Sequence, residues 1–539
     1  MDKIKIGPFY VNILYLAILA AVGLKVWLVL SDVVPFNGDE AVVALMARHI
    51  NQGHVPLFFY GQAHMGSLDA MLVALGFQVF GEHVWVLRLV QGVLYLGTII
   101  TTAQLGKIAF CSIEIGRLGA LLLAIPTVNV TLYTTATLGG YGEALLLGNI
   151  ILLSGFCIGD KIDAEDAVPL WQWLLWGGLA GLGVWVVNFT LIYSVPMGFY
   201  LLAKLVKLWK GKKRLEVVKA VGVGILGAVI GLAPWWINVF QHGVQRIFVV
   251  TVSNQYPLLL APFVHLFSLL LLGSTVTFGL RPPWDIIWLM LPLIPFILMI
   301  WMGVLVYSVK RVFRGQPNHK KVGVIGAVML ALVLVFVFTP FGNDPSGRYF
   351  VPLAIPLALF AASMIVSFKE RSKLFTWGMV ALILIFNLGG TIQSALRYPP
   401  GITTQFGVSA RVDHRYDQEL ITFLEEEGIN RGYSNCWVAY PLAFLSGEEL
   451  IFVPRLPYRD DLRYTSGDDR YPPYGEMVAQ ADEVAYITTN PPALNEILRE
   501  EFKAQGVEWQ EKIIGDYHIF YALSAPVRPD VMSFGDEGL

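Results

Sequence analysis

Two adjacent carboxylates, Asp39 and Glu40, follow the first long apolar segment of the chain. A carboxylate held in a water-exposed cavity accepts a proton from a reacting group and so acts as a general base. Acidic residues beside membrane segments are also typical of functional sites, because a bilayer makes charge costly. The alternative is structural: Asn37 is a good N-cap, and acidic residues in a first helical turn favour the helix dipole. The local sequence leaves both interpretations open, and both can hold together.

The elements that must position this pair belong to a strongly apolar chain. Its 539 residues are 55% hydrophobic and 14% charged, with a mean hydropathy of +0.61. Roughly 20 mostly apolar residues cross a bilayer as a helix, and about eleven such spans are predicted. They are 9–31, 84–106, 117–136, 141–159, 171–187, 189–208, 218–240, 285–309, 321–340, 349–368 and 373–393. A further apolar run, 258–280, is interpreted as an interfacial or re-entrant helix.

The distribution of Lys and Arg predicts the orientation of these spans. Short loops rich in both residues stay on the cytoplasmic side, and the richest are 204–219, 310–321 and 369–373. The outer, extracytoplasmic loops are then 32–83, 137–140, 241–284 and 341–348, together with everything after about Gly390. We expect function on this outer face of a prokaryotic-type cell membrane. Near-neutral charge and the lack of a basic, aromatic-interleaved groove exclude nucleic acid as a partner.

The chain changes character near its end, which predicts a transmembrane module at 1–396 and a small extracytoplasmic α/β domain at 397–539. Charge and proline content rise from Arg397 onward. Helices are predicted at 417–429 and 491–506, from their apolar spacing and their proline and glycine signals. Strands are predicted at "NCWVAYPLAFLSG" (435–447) and "DYHIFYAL" (516–523). The stretch 454–476 between them is predicted to be a long irregular loop, a type that is often functional.

Several motifs occur in a characteristic order along the chain. "FNGDEA" is followed by the amphipathic "SLDAMLVALGFQVFGE", the arginine-bearing span "VWVLRLVQGVLYLGTI", and later "GLAPWWINVF" and "DPSGRYFVPLAIPLALF". This order resembles that of the GT-C glycosyltransferases, the polytopic family that includes protein O-mannosyltransferases and lipid A aminoarabinose transferases. The resemblance implies transfer of a monosaccharide from a polyprenyl-phosphate carrier to an acceptor hydroxyl on the outer face, usually with inversion.

The resemblance also implies roles for individual residues. Asp39 matches the family's first-loop aspartate and is expected to be the general base, with Glu40 as its partner or as a structural cap. Arg348 and Tyr349 match a late Arg-Tyr pair that would bind the donor phosphate, since a guanidinium binds two oxygens at once. The alternative for this pair is interfacial snorkelling. Arg88 is expected to brace the site by pairing with an outer-loop carboxylate such as Asp69.

A second outer motif, "TLGGYGEALLLGN", places Tyr141 and Glu143 at the start of the fourth span. Some family members carry another acidic residue here, in some cases as a ligand of a divalent ion. Glu143 with His64 offers oxygen and imidazole ligands that suit several divalent metals. The structural alternative makes Glu143 a first-turn dipole partner and His64 a loop residue. Met65 stands where the aminoarabinose enzymes carry a basic residue, which is a departure from their pattern.

Other functions stay open at this point. A non-enzymatic transporter commonly shows inverted repeats and polar residues near mid-membrane, whereas here the sequence shows no repeat and its polar residues cluster at the outer ends. A structural subunit would not need the acidic pair. An oligosaccharyltransferase or glycan ligase of the same superfamily is the nearest alternative enzyme. The acceptor is a glycan, a lipid or a protein.

Overall fold

The computed structural model describes residues 3–6, 9–211, 213–243, 256–313, 318–344, 346–529 and 535–536. Parts of two predicted outer loops, residues 244–255 and Pro345, therefore lie outside the described residues. So do Lys212 and Arg314 of the predicted basic loops.

Helices make up most of the first 396 residues. They are α1 (Ile13–Leu30), α2 (Gly38–Asn51), α3 (Leu68–Phe80), α4 (Val84–Phe110), α5 (Ile113–Ala124), α6 (Val128–Tyr133), α7 (Tyr141–Asp163), α8 (Leu170–Val186), α9 (Leu191–Lys210), α10 (Arg214–Gly231), α11 (Ala233–His242), α12 (Ala261–Ser268), α13 (Ser274–Thr277), α14 (Ile294–Phe313), α15 (His319–Phe338), α16 (Ala354–Ser367) and α17 (Lys373–Ala395). Among the described residues, eight helices are long and apolar enough to cross a membrane, and the pair α10–α11, bent by 59°, would make nine. The chain is therefore a multi-pass integral membrane protein.

The count of about eleven spans is not confirmed, and the differences have local causes. The predicted span 117–136 is divided into α5 and α6 around Pro126, because proline cannot donate a backbone hydrogen bond and restricts the residue before it. The predicted span 171–187 is the shorter helix α8. The predicted span 285–309 becomes helical only after Met290, whose backbone is left-handed with φ 45°. The run 258–280 forms a shorter apolar helix across 261–277.

Helix α2 carries the acidic pair and is enclosed by protein. Asn37 caps it, because its Oδ1 accepts hydrogen bonds from the backbone N–H groups of Asp39 (3.0 Å) and Glu40 (3.2 Å). Nearly all residues from Gly38 to His49 are buried. Helix α3 packs against one side and the helix α19 (Cys436–Leu445) against another. Gly38 permits this contact, since a Cβ there would lie 2.5 Å from the Cys436 carbonyl oxygen.

The C-terminal part contains a five-stranded mixed sheet with helices packed on it. Its strands are β5 (Arg431–Ser434), β6 (Ile451–Pro454), β8 (Ala485–Thr488), β9 (Gln510–Ile514) and β10 (Tyr517–Tyr521), in the order β6-β5-β8-β10-β9. Strand β5 runs parallel to β6 and β8, and β10 is antiparallel to β8 and β9. The other helices are α18 (Asp417–Glu426), α20 (Pro472–Ala479) and α21 (Pro492–Ala504), and the short strands are β1 (Lys3–Ile6), β2 (Phe9–Asn12), β3 (Phe58–Phe59), β4 (Gln62–Gly66), β7 (Arg463–Tyr464) and β11 (Gly535–Asp536).

These elements agree with the predicted helices at 417–429 and 491–506 and the predicted strand at 516–523. The predicted strand at 435–447 is wrong, because this stretch is the helix α19. Asn435 caps it by accepting a hydrogen bond from the Trp437 N–H at 3.0 Å. One side of α19 packs on the sheet and another packs on α2, so it is apolar all round. A helix buried on all sides lacks the periodicity that distinguishes it from a buried strand.

Candidate functional site

Three parts of the chain enclose a cavity of about 810 Å³. The first loop contributes Asp39 and His64, and the ends of the spans contribute Tyr141, Arg348 and Tyr349. The third wall comes from the C-terminal part and includes Trp437, Tyr458, Arg459, Asp460, Asp468 and Arg470. Five of the eight predicted site residues therefore lie around one cavity, although they come from segments more than 300 positions apart in sequence.

Asp39 occupies the first turn of α2, where Asn37 fixes the backbone. Its Oδ1 forms an ion pair with Arg470 Nη2 at 2.9 Å, and its side chain remains 28% exposed to the cavity. Arg470 comes from the C-terminal loop and is itself largely buried, with its guanidinium 5.9 Å from the centre of the Phe59 ring. The pair fixes one carboxylate oxygen of Asp39 and the direction of the whole group.

Glu40 does not line the cavity. Its side chain is fully buried, and its carboxylate accepts hydrogen bonds from Arg88 Nη2 and from the Thr137 N–H, both at 3.3 Å. Burial raises the pKa of Glu40, and the Arg88 charge opposes that rise. Arg88 also donates to the Val34 carbonyl at 2.5 Å. Arg88 therefore pairs with an outer-loop carboxylate and braces the first loop, as expected, but that carboxylate is Glu40 and not the example Asp69.

We expect Glu40→Gln to lower the free energy of unfolding by about 1–3 kcal/mol, because the buried guanidinium of Arg88 loses its counter-charge while the hydrogen bonds keep their shape. Thermal unfolding of the purified protein in detergent measures this change. The control is Glu82→Gln, which weakens the half-exposed pair that Glu82 makes with Arg48 at 2.6 Å, and exposed pairs contribute ~1 kcal/mol or less. Equal melting temperatures for both variants would contradict the structural role of Glu40.

Asp69 and Glu143 form a second buried carboxylate pair behind the cavity wall. Gln91 Nε2 donates to Asp69 Oδ1 at 2.9 Å and to Glu143 Oε1 at 3.4 Å, and the Gly139 N–H donates to Asp69 Oδ2 at 3.1 Å. Burial first, and then the neighbouring Glu143 carboxylate, raise the pKa of Asp69 well above its usual range. Two carboxylates that share one amide in a dry site favour a shared proton. This pair joins α3, α4 and α7.

This arrangement predicts how Asp69→Asn changes the pH dependence of stability. A carboxyl whose pKa is raised by folding stabilises the protein while it is protonated, and that stability is lost as the pH rises through the raised value. Asparagine stays neutral and can donate to Glu143, so the melting temperature of the variant relative to wild type should rise as the pH increases from the usual range of an aspartate through the raised pKa of Asp69. A melting series across this range measures the difference. A pH-independent difference would contradict the shared proton.

Arg348 lies on the wall that faces the spans, directly after Gly347, whose φ of 106° turns the chain. Its Nη2 pairs with Asp344 Oδ2 at 2.6 Å, its Nε donates to Ser346 Oγ at 3.3 Å, and its guanidinium lies 5.7 Å from the centre of the Tyr349 ring. The side chain is 39% exposed. A guanidinium held in this way presents hydrogen-bond donors to the cavity, in the fork geometry that suits phosphate oxygens.

The predicted Glu143–His64 metal pair does not face one space. His64 lines the cavity, whereas Glu143 is buried behind its wall with Asp69. Burial and then the Arg348 charge lower the pKa of His64, so its imidazole is neutral near pH 7. Among the described residues, no group of three His, Cys, Asp or Glu side chains has metal-binding geometry. Two carboxylates of the cavity wall, Asp39 and Asp344, are instead paired with arginines.

The C-terminal contribution to this site was not predicted from the sequence. Arg470, Trp437 and Asp468 were assigned no role, although the stretch 454–476 was predicted to be a long irregular loop of the functional type. The feature of the sequence that could have indicated this contribution is the density of Arg, Asp and Tyr in that loop.

His265 in the apolar helix α12 is a packing residue, since its ring nitrogens bond the Val337 carbonyl (3.0 Å) and Asn343 Oδ1 (2.9 Å).

No protein-family model and no curated protein sequence matches the chain. Solved structures do match it. ArnT from Cupriavidus metallidurans bound to undecaprenyl phosphate aligns with a TM-score of 0.60 at 12% identity, over 95% of this chain and 99% of that one. The archaeal oligosaccharyltransferase AglB from Archaeoglobus fulgidus, in complex with an inhibitory peptide and a dolichol-phosphate, aligns with a TM-score of 0.52 at 13% identity, over 88% of this chain and 69% of that one.

A further structure of the Archaeoglobus fulgidus oligosaccharyltransferase, in complex with zinc and sulfate, aligns with a TM-score of 0.50 at 13% identity, over 89% of this chain and 68% of that one. Identities this low carry information about fold alone. Both neighbours belong to the GT-C superfamily. The resemblance noted in the motif order is therefore confirmed, and the chain has the GT-C fold.

Proposed function

We propose that the protein is a glycosyltransferase that moves a monosaccharide from a polyprenyl-phosphate carrier to an acceptor hydroxyl on the extracytoplasmic face of the membrane. The observation that carries this proposal is the cavity that Asp39 and Arg348 both line, one on the first-loop wall and one on the wall near the spans. A carboxylate and a guanidinium in one cavity supply the base and the phosphate ligand that such a transfer needs. Lipid phosphates bound to two proteins of this fold support the donor class.

We propose the following reaction for a donor and an acceptor bound in this cavity. The acceptor hydroxyl oxygen attacks the anomeric carbon of the donor sugar while Asp39 takes its proton. The bond from the anomeric carbon to the phosphate oxygen breaks, and the lipid phosphate leaves with the electron pair. Arg348 stabilises the negative charge that develops on that oxygen. Attack and departure on opposite sides of the carbon invert its configuration, and the proton on Asp39 is later released to water.

Two neighbouring residues hold the Arg348 guanidinium in position for the donor phosphate. Asp344 holds the Arg348 guanidinium at 2.6 Å, and Tyr349 packs beneath it. Tyr141 lines the cavity next to them, with its ring 5.3 Å from that of Tyr133. We assign Tyr349 and Tyr141 to shaping the donor site, since fixed aromatic rings limit the positions that the guanidinium and the sugar can adopt.

The test is transfer of radiolabelled sugar from a panel of polyprenyl-phosphate monosaccharides by the purified protein in detergent. We expect one donor to be consumed, by transfer to an added acceptor or by slow hydrolysis. The test variant is Asp39→Asn. Its control is Asp32→Asn, because Asp32 lies in the same loop, is 82% exposed, is not part of the cavity wall and makes only a long pair of 3.9 Å with Arg88. A wild type that consumes no donor would overturn the proposed function, and equal consumption by wild type and Asp39→Asn would remove Asp39 as the base.

An oligosaccharyltransferase is the second candidate, because AglB shares the fold over 88% of this chain. The same assay distinguishes the two when lipid-linked oligosaccharides are added to the panel. Consumption of an oligosaccharide donor, with no consumption of any monosaccharide donor, would favour the second candidate. The positions of Asp39 and Arg348 serve both reactions, so the donor size is the discriminating result.

Arg470 is a positioning residue in this mechanism, since it acts through Asp39. We expect Arg470→Gln to lower the turnover rate about tenfold, the equivalent of one charge-assisted hydrogen bond, while donor affinity stays the same. Arg470→Lys should restore part of the rate, because it keeps a cation near Asp39. The control is Arg455→Ala in the same loop, which removes the pair with Asp469 at 2.9 Å. A loss of donor affinity with unchanged turnover would instead make Arg470 a phosphate ligand.

A further inference from the structure

A second cavity, of about 440 Å³, adjoins the candidate active site. The two cavities share Ser409 and Asp460 on their walls, so an elongated molecule that enters one can continue into the other. The second cavity lies on the C-terminal side, because all its lining residues follow Pro399 and none belongs to a membrane-spanning helix. Its volume falls in the range of roughly 300–1,000 Å³ that is typical of small-molecule sites.

The two cavities differ in what they can hold. Arg348 and Tyr349, at the start of a span, line the active-site cavity at the end where a lipid phosphate would lie. The second cavity extends away from that end and is bordered by loops of the C-terminal part. An occupant of both cavities would therefore run from the reacting centre towards water, which is the direction an acceptor takes.

The lining of the second cavity is amphipathic. Pro399, Pro400 and Val408 provide apolar surface, and Asp460, Asn490 and Asp516 provide oxygen acceptors. Arg411 adds a guanidinium that pairs with Asp285 at 3.8 Å. Saccharides have the matching chemistry, because each ring presents C–H groups on its faces and hydroxyl donors around its edge. A carboxylate accepts two hydroxyl donors at once, one on each oxygen.

A peptide is a poorer match for the same surface. An extended peptide binds best by adding a strand to an exposed sheet edge, where its backbone groups find partners. The lining residues all lie in turns and loops, and none belongs to a strand of the described sheets. A peptide bound here would leave many of its backbone N–H and C=O groups without hydrogen-bond partners.

We propose that the second cavity binds the part of a saccharide acceptor that lies beyond the reacting unit, so that the acceptor is a glycan of two or more units. This inference rests on the proposed transferase function. It assigns Val408 to the wall on which a distal sugar packs, and Asp460 to the boundary between the reacting unit and the next one.

Val408→Trp tests this inference, because Val408 lines the second cavity and is 75% exposed, so a larger side chain fills the cavity without entering a packed core. The matched control is Val408→Ala, which leaves the space open. The full-length protein in nanodiscs is applied to an array of immobilised neutral mono- and oligosaccharides, a measurement that needs no donor and no turnover. We expect wild type and Val408→Ala to bind a subset of glycans of two or more units, and Val408→Trp to lose that binding.

Three results would overturn the inference: no wild-type binding to any glycan, binding that Val408→Trp retains, or displacement of bound glycan by a Lys-rich peptide. A transfer assay then separates it from the proposed function. With the acceptor that the array identifies, Val408→Trp should raise KM at least about tenfold, the equivalent of losing one or two hydrogen bonds, and leave donor hydrolysis by water unchanged. If instead the proposed function is wrong, the wild-type protein will bind glycan but consume no donor.

Discussion

Asp39→Asn is expected to lower sugar transfer by about 10²–10⁴-fold, the range that a positioned general base contributes. Asparagine has the shape of aspartate, so the cap by Asn37 and the packing of α2 persist. Its amide oxygen can still accept a hydrogen bond from Arg470, which holds Oδ1 of Asp39 at 2.9 Å. An amide does not take the proton of the acceptor hydroxyl, however, so we expect only the chemical step to fail.

The measurement is the rate at saturating donor and acceptor, together with donor affinity, for the wild type, Asp39→Asn and the loop control Asp32→Asn. The expected pattern is a large loss of kcat in Asp39→Asn with donor affinity and melting temperature near those of the wild type. An unchanged kcat in Asp39→Asn would reduce the acidic pair to a helix cap. A loss of melting temperature equal to that of Glu40→Gln would show that Asp39, like Glu40, serves the fold.

Much of the site was readable from the sequence because the chemistry lies at the ends of strongly apolar helices. Asp39 follows the first apolar segment, Tyr141 begins the helix α7, and Arg348 precedes another span. Each position is marked by the change from polar to apolar residues, and the order of these motifs matched a known family. The capping role of Asn37 was equally local, since Ser, Thr, Asp and Asn favour the N-cap.

What the sequence could not predict depends on contacts between distant segments. Arg470 reaches Asp39 across 431 positions of sequence, and no local pattern indicates which of several loop arginines does so. The sequence predicted an outer-loop carboxylate as the partner of Arg88 but not which one, because Glu40 and Asp69 are both acidic residues of one loop. The helix α19 was misread as a strand because burial on all sides removes the periodicity that identifies a helix.

Arg348→Ala is expected to lower kcat/KM for the lipid-linked donor by about 10²–10³-fold, the cost of removing a group that stabilises developing negative charge. Part of this loss should appear as weaker binding of the lipid phosphate itself, because charge-assisted hydrogen bonds contribute roughly 1.5–3 kcal/mol. Arg348→Lys should recover only part of the activity, since an ammonium keeps the charge and loses the planar fork. The fold should tolerate both changes, because Arg348 and Asp344 are 39% and 29% exposed and such pairs add little stability.

Titration calorimetry of undecaprenyl phosphate with the protein in nanodiscs measures binding of the lipid phosphate alone. It therefore separates the loss of binding from the loss of charge stabilisation during the reaction. We expect weaker binding by Arg348→Ala, intermediate binding by Arg348→Lys and wild-type binding by Arg455→Ala, which removes a different arginine pair outside the cavity. The alternative interpretation, in which Arg348 and Tyr349 anchor the end of a span at the interface, predicts a different pattern. In that case Arg348→Lys would match the wild type, because a lysine reaches the interface as well as an arginine does.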